Sequence, residues 1–124
     1  MEIGLLFEKE FIPTPADSAA RMGSGTLNVL STPSVLAALE NVAMTCVANQ
    51  LSNEETTVGT LANFKHLKAS SIDTPFIAQA ELIEIDRRRL VFRVKAMSKA
   101  GDVLAEGIHE RFIVNINKFM GKLA

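Results

Sequence analysis

The stretch Ser31-Thr-Pro-Ser-Val-Leu-Ala-Ala-Leu-Glu40-Asn-Val-Ala-Met-Thr-Cys-Val-Ala-Asn-Gln-Leu51 decides how the rest of this chain must fold. It opens on a helix-start signature, with Thr32 as N-cap hydroxyl and Pro33 at the first helical position. It then reads as one helix from about Thr32 to Leu51. Asn41, Thr45 and Asn49 stand four apart in a narrow polar stripe. Glu40 lies off that stripe, among Leu36, Ala37, Ala43 and Met44. A helix apolar on most sides must be enclosed by the remainder of the protein. At about 20 residues it spans roughly 30 Å, the width of a small domain.

Outward from the helix the period changes from 3.6 to 2. Val58, Thr60, Ala62, Phe64 and His66 are expected on one face of a strand, with Gly59, Leu61, Asn63 and Lys65 on the other. A second strand runs from about Phe76 to Ile85 and turns at Asp86-Arg87-Arg88-Arg89. A third, Leu90 to about Met97, alternates most clearly, with Leu90, Phe92, Val94 and Ala96 opposite Arg93 and Lys95. The turn Lys99-Ala-Gly-Asp102 leads into a last strand, about Val103 to Ile116. Leu5 to Ile12 supplies one more strand near the start. Pro13 to Leu30, rich in Pro, Ser, Gly and Thr, reads as a loop with one helical turn near Ala16–Ala20, and loops of that length are often functional. The order β–α–β–β–β–β predicts an α+β fold, one long helix surrounded by antiparallel strands.

Length and composition set the outer bounds. With 124 residues, 48% of them hydrophobic, the chain is expected to form one domain, 1–124, around a single core. A formal net charge of −1 argues against nucleic acid as the main partner. No apolar run reaches the roughly 20 residues of a membrane span. The start Met-Glu-Ile-Gly lacks a basic leader followed by an apolar stretch, so no secretory signal is expected. The lone Cys46 sits in the apolar helix and reads as a small buried hydrophobe. Two histidines far apart in sequence form no recognisable metal site, so no metal and no cofactor are expected. These features suit a reducing cytoplasm.

Two side chains stand out chemically. His66 shares a strand face with residues that should pack on the helix, and Glu40 is the one acid within the apolar helix. If both point between helix and sheet, burial can tune them for acid–base or nucleophilic work. Each also has a plainer reading, Glu40 as a solvated edge residue and His66 as a half-buried structural histidine. Thr32 is accounted for locally as an N-cap. Yet a helix N-terminus carries open N–H groups and a positive dipole end, which can hold a carbonyl and the oxyanion formed on it.

Four motifs in order carry a resemblance. Leu30-Ser-Thr32-Pro-Ser-Val-Leu-Ala-Ala-Leu-Glu40, Val58-Gly59-Thr60-Leu-Ala-Asn-Phe-Lys-His66, Ala80-Glu-Leu-Ile-Glu-Ile-Asp86-Arg-Arg-Arg-Leu90 and Gly107-Ile-His109-Glu-Arg111 together resemble the fluoroacetyl-CoA thioesterase-like group of hotdog proteins. The resemblance runs from about Leu30 to Lys118. It implies a hotdog fold, a long central helix wrapped by a curved antiparallel sheet, working as a homodimer, with further pairing into tetramers left open. The implied reaction is hydrolysis of an acyl-CoA thioester, with CoA entering only as part of the substrate. Thr32, Glu40 and His66 match the family's catalytic set: His66 as general acid/base, Glu40 as nucleophile or activator of water, Thr32 orienting the thioester. Gly59 matches a glycine beside the acyl group, where a missing side chain lets substrate approach backbone.

One departure bears on specificity. The fluoroacetyl-specific pattern places aromatic residues in the loop before the helix, and Arg21 to Val29 contains none. A short or medium acyl group other than fluoroacetyl is therefore expected. Phe64, Lys65, Lys68 and Arg111 are the further substrate-binding candidates. Lys65 and Lys68 are ranked ahead of the Arg87-Arg88-Arg89 turn for the CoA phosphates. His109 and Arg111, two apart on one strand face, read either as a pantetheine or dimer contact or as a structural hydrogen-bonded pair. The alternatives on the same scaffold are a non-catalytic acyl-CoA or small-ligand binding protein and an acyl-thioester hydratase or dehydratase.

Overall fold

A computed structural model describes all 124 residues. The first strand β1 (Leu6–Phe11) is followed by a 3-10 turn (Pro15–Asp17), a short helix α1 (Ala19–Met22) and the long helix α2 (Thr32–Ala48). Four strands follow, β2 (Glu55–His66), β3 (Phe76–Asp86), β4 (Arg89–Ser98) and β5 (Val103–Asn115), and the chain ends in α3 (Ile116–Leu123). The strands form one antiparallel sheet in the order β1-β3-β4-β5-β2, with α2 on its inner face. No helix is long and apolar enough to cross a membrane.

The helix seats itself through a 3-and-4 repeat. Val35, Ala38, Leu39, Val42, Ala43, Cys46 and Val47 are buried, each worth about 1.5–3 kcal/mol where the side chain is a full Val or Leu. They meet Phe76, Ala78, Ala80 and Leu82 of β3 and Leu90, Phe92, Val94 and Ala96 of β4. Fully buried Ala78, Ala80, Ala96 and Ala105 leave room for the helix to lie close to the sheet. The enclosure expected of α2 is incomplete, because Pro33, Ala37, Met44 and Ala48 remain exposed on its outer side. The helix also stops at Ala48 rather than Leu51. There the amides of Gln50 and Leu51 turn back to the carbonyls of Val47 and Ala48, the tight i→i−3 closure of a helix end.

Strand β2 departs from simple alternation. Gly59 pairs with Arg111 and Leu61 with Glu110, so Thr60 is an extra residue, a β-bulge. One inserted residue inverts the faces on one side of it. Thr57 and Gly59, not Val58 and Thr60, therefore share the inner face with Ala62, Phe64 and His66. The helix α3 was not anticipated: the strand expected to run to Ile116 ends at Asn115, whose side chain accepts the Lys118 amide and starts the helix.

Candidate active site

The leading end of α2 holds the first half of the site. Capping falls to Ser31, which has extended backbone and whose Oγ accepts the Ser34 amide at 3.1 Å. Thr32 is thus the first helical residue instead of the expected cap, and its hydroxyl is released for another partner. That partner is His66, whose Nδ1 lies 2.8 Å from Thr32 Oγ1. Buried Ser31 and Ser34 and the Asp17 carboxylate anchor this turn to the preceding loop: Ser31 Oγ donates to Ser34 Oγ, and Ser34 Oγ to Asp17. Around the helix end, the Ser31 amide donates to Asp17 O and the Val35 amide to Ser31 O, while Pro33 has no N–H. The Thr32 amide is the open donor that remains, the position an oxyanion would occupy.

Thr32 and His66 line a pocket of about 270 Å³ together with Val29, Leu30, Ser31 and Ala69. His66 Nε2 is buried and has no hydrogen-bond partner in the chain. If Nδ1–H donates to Thr32 Oγ1, Nε2 is left as a bare lone pair, which costs less to bury than an unpaired N–H. Burial lowers the His66 pKa below its ordinary 6.5, partly opposed by a backbone group of Lys68. The neutral, proton-accepting ring is therefore the form at neutral pH.

Glu40 does not line this pocket. It lies eight residues along the helix, about 12 Å farther at 1.5 Å per residue, beside Gly59. A Cβ added at Gly59 would stand 2.7 Å from Glu40 Oε2 and 3.2 Å from His109 Cε1. The glycine thus makes room for the carboxylate. Arg111 Nη1 approaches Glu40 Oε2 at 3.8 Å. Arg111 is itself fixed by Thr57, donating to its Oγ1 at 2.7 Å and its carbonyl at 3.0 Å. His109 completes the cluster: its Nδ1 donates to Leu61 O at 2.7 Å, so its Nε2 accepts from Arg111 Nη1 at 3.1 Å. Burial first, and then the neighbouring Arg111 charge, lower the His109 pKa, against the pull of the Leu61 carbonyl. A single protomer therefore joins Thr32 to His66 and Glu40 to Gly59, Arg111 and His109, but does not join the two groups.

The other candidates separate further. Phe64 is half-buried against the core. Lys65 is exposed and, one residue before His66, points to the opposite face. Lys68 is occupied by Asp102 at 3.4 Å. Thr57 had no visible role until the bulge placed it, together with Gly59, on the inner face; the only advance signal was its two-residue spacing from that glycine.

The chain is similar in sequence and fold to known proteins. Residues 14–117 match the family model described as fluoroacetyl-CoA-specific thioesterase, FlK. The fluoroacetyl-CoA thioesterase of Streptantibioticus cattleyicolor is 26% identical over 129 residues, covering 99% of this chain and 92% of that one. A solved structure of the fluoroacetyl-CoA thioesterase FlK superposes with a TM-score of 0.93 at 25% identity, over 99% of this chain and 95% of that one. A thioesterase superfamily member from Thermus thermophilus shares the fold, with a TM-score of 0.90 at 20% identity over 98% of this chain and 90% of that one. The long helix in its curved sheet is thus a hotdog fold, and a match over most of the chain places this protein in the fluoroacetyl-CoA-specific thioesterase family, as a hydrolase of thioester bonds.

Proposed function

We propose that this chain hydrolyses an acyl-CoA thioester, carrying a short or medium acyl group other than fluoroacetyl, as a homodimer that needs no cofactor. The observation that carries the reading is the Thr32–His66 hydrogen bond, which leaves His66 Nε2 buried, unpartnered and neutral in a pocket at the α2 end. A thioester carbonyl directed at the Thr32 amide would have its oxyanion stabilised there. His66 would take a proton from water as that water adds to the carbonyl, then return it to the departing CoA sulfur as the C–S bond breaks. Glu40 is the carboxylate of the set, as direct nucleophile or as second holder of the water.

An open strand edge supports the homodimer. Strand β2 is an edge strand of twelve residues whose stretch Gly59–Asn63 is exposed, with Leu61 43% exposed. A long open edge with an exposed Leu61 at its middle calls for a cover. Pairing with its own copy about a two-fold axis is antiparallel. Centred on the exposed stretch, it would set Gly59 of one protomer opposite Asn63 of the partner subunit, three residues from the partner's His66, and so bring toward each other the two groups that one protomer keeps apart.

The lack of aromatic residues in Arg21–Val29, where Leu27 is 67% exposed, leaves the acyl end without a tight lid. A panel of acyl-CoA thioesters of increasing length, with fluoroacetyl-CoA included, tests the reading. One free thiol released per thioester, fastest on unsubstituted short or medium acyl groups, is the expected result. Ligand-induced stabilisation without thiol release, or a new double bond or hydroxyl in the product, would overturn it.

A further inference from the structure

A cleft of about 420 Å³ lies away from Thr32 and His66, where α3 folds back against β5 near the start of β2. Arg88, Lys118, Lys122, Asn115 and Phe119 line it, and Glu55 is its one acid. That acid is already engaged by Arg88 at 2.7 Å. Lys118 and Lys122 are in no ion pair, a state they share with Lys9, Arg21, Lys65 and Lys95, but of these six they are the two that line this cleft. One turn apart on the same helix, two like charges repel by a few tenths of a kcal/mol unless an anion lies between them. The half-buried Phe119 ring on the cleft wall offers a stacking surface. Cations beside an aromatic face suit a phosphorylated purine nucleoside.

Along its own chain this cleft is out of reach of His66, since Glu55 and His66 are eleven strand steps apart, roughly 36 Å. Across an antiparallel β2–β2 pair the geometry reverses, because the Glu55 end of one protomer adjoins the His66 end of the other. We propose that Lys118, Lys122 and Phe119 of one protomer bind the adenosine 3′-phosphate 5′-diphosphate end of the CoA thioester whose acyl group lies at Thr32 and His66 of the partner subunit. This rests on the CoA-thioester and β2-dimer reading above, and it replaces Lys65 and Lys68 as the phosphate-binding set.

The test uses the full chain and a Lys118→Glu/Lys122→Glu variant, both residues being exposed and unpaired. The preference for an acyl-CoA over the same acyl group on N-acetylcysteamine, which has no phosphates, should fall about tenfold in kcat/KM, mostly through KM for the CoA ester. Adenosine 3′,5′-bisphosphate should bind the unaltered protein and not the variant in calorimetry. In a mixed dimer with a His66→Ala chain, the surviving site should recover the normal KM, because its cleft comes from the unaltered α3 of the other chain. An unchanged preference together with unchanged bisphosphate binding would overturn the proposal, and a high KM in the mixed dimer would overturn its cross-protomer form. Bisphosphate binding lost in the variant, but with no thiol released from either ester by the unaltered protein, would uphold the cleft and reject the hydrolase reading.

Discussion

At the scale of single residues, the site depends on which hydroxyl caps α2. Ser31 and Thr32 are adjacent and chemically alike, and the chain could have used either. Because Ser31 takes the cap, Thr32 is free to hold His66 Nδ1. His66 has its pKa lowered by burial, so its proton-accepting form persists below the ordinary 6.5. Activity should hold through neutral pH and fall only as pH drops below 6.5, along a limb absent from any residual rate in His66→Ala. That variant should lose about 10²–10⁴-fold in kcat, and a kcat/KM profile from pH 4.5 to 8 checks both points. Gly59 is the second residue whose identity matters. A methyl group there would meet Glu40 Oε2 at 2.7 Å, yet Glu40 is 40% exposed at its side chain and can swing outward. Gly59→Ala should therefore lower activity at least about tenfold, the range in which a misplaced catalytic group is felt, with a melting temperature close to that of the unaltered protein.

At the scale of elements, the bulge at Thr60 does most to build the site. Without it, strict alternation would put Gly59 on the outer face and His66 on the inner. With it, Gly59, Ala62, Phe64 and His66 share the face that meets the helix, and Arg111 and His109 on β5 face the same space. The periodicity of β2 could not reveal this, since a bulge needs no Gly or Pro at the inserted position and Thr60 reads like any strand residue. The helix cap is the complementary device. Ser31→Ala would free the Ser34 amide and remove the Ser31–Ser34–Asp17 chain of hydrogen bonds that ties the loop to α2. A loss of about 1 kcal/mol in denaturant unfolding is expected, the usual value of an N-cap side chain. A drop in activity should accompany it, because the same turn carries Thr32.

At the scale of the whole molecule, three apolar surfaces stand open: the β2 edge, the outer side of α2 at Ala37 and Met44, and α3 with Met120 and Leu123. The β2 edge is the one whose covering by a second copy would also join Glu40 to His66. If the proposed β2 pairing holds, Leu61→Asp, at the centre of that edge, should sediment as a folded monomer where the unaltered protein sediments as a dimer, and should lose hydrolysis in the same step. A dimeric, active Leu61→Asp protein would contradict the β2 pairing. The long helix, all five strands and the chemistry-bearing side chains were legible in the sequence because periodicity, caps and turns are local. The terminal helix carries a local signal too, apolar Ile116, Phe119, Met120 and Leu123 at 3-and-4 spacing, but at eight residues it is short enough to pass for the tail that follows β5.

By itself, then, the amino-acid sequence determined a buried 3-and-4 helix, the strands around it, the identities of Thr32, Glu40 and His66, and the family to which they belong. Which of these side chains meet was left to the tertiary structure, which put Thr32 with His66 and Glu40 with Gly59 and Arg111. The physical reason is that a strand face is set by register, and a single extra residue in β2 exchanges the two faces for every position on one side of it.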